Sequence, residues 1–121
     1  MKAKDRAIND LVIANRILAK EEIVDAYGHI TIRNPDNPNT FFIARSLSPA
    51  LVTAEDIVEL DMDGNPVHEE GRVLYLERFI HAAILKARPE VLSTVHAHAE
   101  DILPFCIANG TPLRPVIHSG S

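Results

Sequence analysis

The sequence predicts an α+β fold, and three features carry that expectation. An amphipathic helical stripe opens the chain, a strand–turn–strand pattern follows it, and the later helices and strands alternate without a regular βαβ rhythm. With 121 residues, 46% hydrophobic and 24% charged, residues 1–121 read as one globular domain able to bury a core. Twelve Lys and Arg against seventeen Asp and Glu leave a net charge of −5 with no basic run, which argues against a nucleic-acid partner. Ordinary apolar content and moderate charge exclude a disordered chain. The one cysteine, Cys106, has no internal disulfide partner and reads as packing. The start, MKAKDRAINDLVIANRIL, lacks the apolar run and cleavage site of a signal peptide. No stretch approaches the roughly 18 apolar residues of a membrane span. A soluble, cytoplasmic protein is the expectation.

Between Lys4 and Glu22, the residues Ile8, Leu11, Val12, Ala14, Asn15, Leu18 and Ala19 recur three and four apart, the signature of an amphipathic helix. Gly28 breaks that pattern, and His29 to Arg33 alternates with the period of a half-buried strand. The turn cluster Asn34 to Asn39 leads to a return strand, Thr40 to Arg45, so the pair predicts an antiparallel hairpin. Ser46 to Ala54 reads as a polar loop. Asp56 to Asp61 reads as another strand, closed by the tight-turn signal Met62-Asp63-Gly64-Asn65. Leu74 to Ala87 predicts a helix with Leu74, Ile80, His81, Ala83, Ile84 and Ala87 on its buried side, ended by Arg88-Pro89. Val91 to Ala97 is β-rich. Glu100 to Asn109 predicts a short helix with Gly110 as its C-cap, and a strand begins at Val116.

Among the six histidines, His96 and His98 are the most informative. Residues i and i+2 of a strand face the same side, so both rings can reach one metal ion. Glu77 and His81 stand one helical turn apart, and the short Arg88-Pro89-Glu90 connection brings their helix beside the His96 strand. Glu77 can then ligate the ion or act as a base beside it. His68 reads as a surface residue, His81 as a core histidine or one supporting the ligands, and His118 as a residue near the pocket.

Taken in order, Tyr27-Gly28-His29-Ile30-Thr31-Ile32-Arg33, Thr53-Ala54-Glu55-Asp56-Ile57-Val58, Glu77-Arg-Phe-Ile-His81, Arg88-Pro89 and Val95-His96-Ala97-His98 resemble the class II aldolase/adducin family over nearly the whole chain. The resemblance implies a largely antiparallel central sheet between helical layers, a three-layer α/β/α arrangement. It also implies a cyclic homo-tetramer and a zinc-dependent, or manganese-dependent, carbon–carbon lyase acting on a small molecule. In that pattern His96 and His98 are metal ligands and Glu77 is the acid/base. The third metal histidine of the family lies tens of residues further on, so either His118 takes its place or, the favoured expectation, the chain is an N-terminal fragment, inactive alone and oligomeric across its open sheet edge.

Sugar-phosphate members of the family place an amide and hydroxyl cradle around the phosphate. Here the matching positions hold His29, Ala44-Arg45-Ser46-Leu47 and Tyr75-Leu76. The planar fork of Arg45 suits a carboxylate. Arg45 and Ser46 are therefore the expected carboxylate anchor, with His29 and Tyr75 as further substrate contacts. This version resembles the branch that decarboxylates hydroxylated aromatic acids. Two alternatives stand beside it: a sugar or sugar-phosphate aldolase or epimerase, and a non-catalytic adducin-like binding domain.

Overall fold

The computed structural model describes residues 2–24 and 28–97. The N-terminal helix α1 spans Ala3–Lys20 and buries Ala7, Leu11 and Asn15. It ends in a Schellman-type turn: Ile23 N–H donates to the Leu18 carbonyl, and Glu22, in the left-handed region at φ 59°, donates to Ala19. The hairpin follows as expected, with β1 at His29–Arg33 and β2 at Thr40–Ala44 paired antiparallel. Strand β3, Ile57–Asp61, pairs with β2. The predicted loop between them contains two single 3-10 turns, Pro49–Leu51 and Ala54–Asp56. Val52, between these turns, is buried, and its carbonyl accepts from Arg16 Nε of α1. Helix α2 is Arg78–Ala87, and β4 is Ser93–His96, paired antiparallel with β1. The four strands form one sheet in the order β3-β2-β1-β4.

Strand alternation puts the two helices on opposite faces of this sheet. Phe41, Ile43, Val58 and Leu60 point to one face and pack with Tyr75, Ala82 and Leu85. Phe42 points to the other, where Lys4 of α1 lies over its ring at 5.9 Å. The described residues thus form helix, antiparallel sheet and helix in three layers, as the resemblance implied. Among them no helix is long and apolar enough to cross a membrane.

Two expectations are corrected here. The helix expected from Leu74 begins at Arg78, and Glu77 is its N-cap rather than an interior residue. Tyr75 is drawn into the core, its hydroxyl donating to the Leu47 carbonyl at 2.6 Å, and this holds the preceding residues in a turn. The buried side of α2 is His81, Ala82 and Leu85, while Ile80, Ala83, Ile84 and Ala87 are exposed. Apolar residues line most of this helix's circumference, so periodicity alone leaves its rotation open. Polar contacts set it. His81 bonds to the sheet, and the Leu85 carbonyl takes a hydrogen bond from Arg33. The predicted helix at 100–109, its Gly110 cap, the strand from Val116, and His98, Cys106 and His118 lie outside the described residues.

Two glycines answer to close contacts. A Cβ at Gly28 would stand 2.5 Å from the Val24 Cβ, so only glycine lets the chain enter β1 here. Gly64 sits at φ 83° and would drive a Cβ to 2.6 Å from the Phe79 ring.

Arg33 is buried, and among the described residues no carboxylate bonds to it directly. Its guanidinium donates to the carbonyls of Val91, Pro38, Leu85 and Arg88, two of them at the C-terminal end of α2, where the helix dipole is negative. Replacing it with leucine removes the donor from those carbonyls, of which Arg88 keeps the Val91 N–H, so Arg33→Leu should lower the unfolding free energy by at least about 2 kcal/mol, read from urea midpoints. Lysine cannot reproduce the fork and should recover little of that loss.

Candidate functional site

The face that meets α2 is divided. Strands β2 and β3 supply its apolar half, and β1 and β4 supply a polar half: His29, Thr31 and Arg33 opposite His96 and Thr94. In β1 the polar residues are the fully buried ones, and Ile30 and Ile32 are half-buried on the other side. Buried polar groups persist only when hydrogen-bonded. Among the described residues, no buried side-chain nitrogen or oxygen lacks a partner.

Hydrogen bonds run through this half as a chain. His29 Nδ1 lies 2.6 Å from His81 Nε2, and His81 Nδ1 lies 2.6 Å from Thr94 Oγ1. Thr94 Oγ1 is 2.6 Å from Thr31 Oγ1, which also accepts from the Thr94 N–H at 3.2 Å. At the other end, His29 Nε2 faces Glu77 Oε2 at 3.4 Å. His96 is the cross-strand partner of His29, and the two rings stack with centroids 4.9 Å apart and an interplanar angle of 11°. Tyr75 also packs against His29, tilted, at 4.5 Å between ring centroids.

His29, Glu77 and His96 therefore converge, each offering one ligand atom, with these atoms within 4.8 Å of one another. Two imidazoles and a carboxylate form a donor set suited to zinc and similar divalent ions. His29 is buried, whereas Glu77 and His96 are partly open, so the group is reachable from one side. The hydrogen bond with His29 holds the Glu77 carboxyl below its usual range despite some opposing desolvation, and the carboxylate is ionised at neutral pH. Burial, assisted by neighbouring His29 and His96, pushes His81 down to about 4. Burial pushes the Tyr75 hydroxyl up, and the hydrogen bond with Leu47 opposes that shift.

The site residues expected from the sequence are only partly assembled. His29, Tyr75, Glu77 and His96 meet, and His98 lies outside the described residues. Arg45 is held by Asp56: its Nε donates to Oδ1 at 2.8 Å, and its N–H donates to the Asp56 carbonyl at 2.8 Å. Asp56 in turn accepts from Thr53 N–H, which with Arg45 lowers its pKa. The Ser46 N–H donates to Val73, and Leu47 bonds Tyr75 through both N–H and carbonyl. Tyr75 is thus the link between the Arg45 loop and His29. His68 is exposed, as expected. Thr31, Thr94 and Arg33 were not singled out by the sequence reading. For Thr31 and Arg33 the signal is the polar i, i+2, i+4 set of β1 with His29, which alternation places on one face without saying which face is buried; Thr94, on β4, carries no such signal.

A buried imidazole network ending at a carboxylate and a second imidazole is the framework of a cation-binding or proton-transferring centre. The chain belongs to the family described as class II aldolase and adducin N-terminal domain, whose model matches residues 9–121. It is 44% identical over 104 residues to decarboxylase tropJ of Talaromyces stipitatus, covering 84% of this chain and 39% of that protein. It is 31% identical over 117 residues to the 3,4-dihydroxyphthalate decarboxylase of Arthrobacter keyseri, covering 88% and 46%. Among solved structures, the L-fuculose 1-phosphate aldolase from Glaciozyma antarctica PI12 superposes with a TM-score of 0.82 at 31% identity, over 97% of this chain and 49% of that one. The chain spans less than half the length of each of these relatives.

The low pKa of His81 has a consequence for stability. Folded, metal-free protein keeps His81 neutral down to about 4, whereas an unfolded histidine takes up its proton near 6.5. Between these values the unfolded state binds more protons, so stability must fall as pH is lowered through that window. Urea midpoints should therefore drop between about pH 6.5 and 4, and His81→Gln should flatten part of that drop. An unchanged pH dependence in the variant would assign the drop to other groups.

Proposed function

We propose that this chain forms part of a divalent-metal-dependent carbon–carbon lyase that decarboxylates a hydroxylated, aromatic carboxylic acid. The observation that carries the reading is the convergence of His29, Glu77 and His96, in which His29 stands at a position where sugar-phosphate members hold a phosphate-binding group. The decarboxylase relatives support it. His96 and His98 would hold the ion, with Glu77 beside it. When bound, a zinc or manganese ion would polarise the substrate oxygens and spread their negative charge.

The protein's residues then account for proton movement. Glu77 is ionised at neutral pH, so it begins as a base and takes the proton of a substrate hydroxyl. The bond between the ring carbon and the carboxylate breaks, carbon dioxide leaves, and the electron pair stays on that carbon. Glu77 returns the proton there, and water reprotonates the hydroxyl oxygen. Tyr75 and His29 form the apolar and polar walls that orient the ring. Arg45 with Ser46 is the proposed anchor for a substrate carboxylate, an arrangement that requires Arg45 to share its charge with Asp56. The protein would act as a soluble, cytoplasmic homo-oligomer, a tetramer by family resemblance.

A sugar-phosphate aldolase is the second reading, favoured by the close superposition on the L-fuculose 1-phosphate aldolase. Substrate preference separates the two. In the full-length protein, removal of divalent metal should abolish turnover of hydroxy-aromatic acids. Glu77→Gln should lower kcat by about 10²–10⁴-fold, far more than it lowers metal affinity. Wild-type turnover in that variant would remove Glu77 from the proton path, and loss of metal would make it a ligand first. Arg45→Ala should raise KM for hydroxy-aromatic acids by roughly tenfold or more, the scale of a lost charge-assisted hydrogen bond. Lower stability with unchanged KM would reduce Arg45 to its ion pair with Asp56. Preferred cleavage of sugar phosphates would move the assignment to the aldolase.

A further inference from the structure

We propose that His81 and Thr94 are positioning residues that accept and stabilise the His29 proton on Nδ1, and thereby let His29 serve as a further protein ligand to the cation beside Glu77 and His96; the inference rests on the metal-dependent reading above. The contacts in the chain leave few choices. Only one proton can occupy the 2.6 Å gap between His29 Nδ1 and His81 Nε2, and one the equal gap between His81 Nδ1 and Thr94 Oγ1. Both histidines are at least 98% buried, so water does not stand in as an alternative partner there.

Two arrangements of protons satisfy this geometry with every histidine neutral. In one, Thr94 donates to His81, His81 Nε2–H donates to His29 Nδ1, and His29 Nε2–H points at the Glu77 carboxylate. In the other, His29 Nδ1–H donates to His81 and His81 Nδ1–H donates to Thr94. Thr94 then turns its hydroxyl to Thr31 Oγ1. This second arrangement leaves His29 Nε2 unprotonated, with its lone pair toward a carboxylate oxygen 3.4 Å away. Two lone-pair donors at that separation repel each other unless a cation lies between them. A divalent ion therefore selects the second arrangement, and the His81–Thr94–Thr31 chain accommodates it because hydroxyls can donate in either direction. His29 is correctly placed for this role, stacked on His96 across the β1–β4 pair and backed by Tyr75. Partners that fix the tautomer of a ligating histidine typically contribute about 10–100-fold to metal affinity.

The test uses the full-length protein, metal-free and then loaded with Zn²⁺ alone. Long-range proton–nitrogen NMR of ¹⁵N-histidine-labelled protein reads each imidazole tautomer directly. Zn²⁺-loaded wild type should show His29 protonated on Nδ1, with Nε2 shifted by the metal. Competition with a chromogenic chelator should give His81→Leu a Zn²⁺ Kd raised about 10–100-fold. His81→Gln retains an acceptor toward His29 and should recover most of the affinity. Thr94→Val, which keeps the side-chain shape, should weaken binding in the same direction, so the test survives if His81→Leu fails to fold. A Zn²⁺-loaded wild type with His29 protonated on Nε2, or folded His81 and Thr94 variants with wild-type affinity, overturns the inference while leaving the metal-dependent reading intact. A wild type that takes up no Zn²⁺ overturns that reading, and the inference falls with it.

Discussion

A buried polar strip on the sheet face beneath α2 constrains most of what is arranged around it. His29, Thr31 and Arg33 enter the interior together because they share one side of β1, and none can be left without a partner at an acceptable cost. Thr94 and His96 on β4 and His81 on α2 supply partners at one end of the strip. Backbone carbonyls at the C-terminal end of α2 supply them at the other. The position of α2 over the sheet is therefore set by hydrogen bonds at both ends and by apolar packing between them. That dual attachment explains why α2 turns His81, Ala82 and Leu85 inward and leaves Ile80 and Ile84 outside.

The same constraint prepares the site chemically. A histidine in open solvent is free to exchange tautomers and reorient, whereas His29 is held on three sides by His81, His96 and Tyr75. Glu77, at the N-cap of α2, is delivered to the Nε2 side of His29 by the turn that Tyr75 anchors. Precision at the site thus comes from rigid elements rather than from a flexible loop, the condition under which a catalytic or metal-binding group is preorganised. The loop with Arg45 and Ser46 joins through one residue, because Tyr75 touches His29 with its ring and Leu47 with its hydroxyl.

Membership of the class II aldolase and adducin family accounts for the layered fold, and the histidine at position 29 gives its site an imidazole at the centre. An imidazole supplies both a donor and an acceptor, where the amide and hydroxyl cradle of a phosphate site supplies mainly donors. Placed between a carboxylate and a second imidazole, it completes a donor set suited to a divalent cation. It does so without disturbing the sheet, since the side chain occupies an interior position already lined by Tyr75 and His81.

Several features were determined by the sequence alone because they depend on local chemistry. The stripe of α1, the turn residues between β1 and β2, the glycine at 64 and the alternation of β3 each followed from steric or periodic rules that act over a few residues. The motifs carrying the family resemblance likewise singled out Glu77 and His96 before any geometry was known. Tertiary structure decided what periodicity leaves symmetric. Alternation in β1 shows that His29, Thr31 and Arg33 share a face, but a sequence of alternating polar and apolar residues normally buries the apolar side. Here the polar side is the more buried, because partners distant in sequence satisfy its hydrogen bonds: His81 and Thr94 for His29 and Thr31, and the carbonyls of Leu85 and Arg88 for Arg33. Arg45 was decided in the same way, since its fork suits a carboxylate and only folding brings the carboxylate of Asp56 to it. Those pairings exist only once the strands and α2 are assembled, so no local pattern could have announced them.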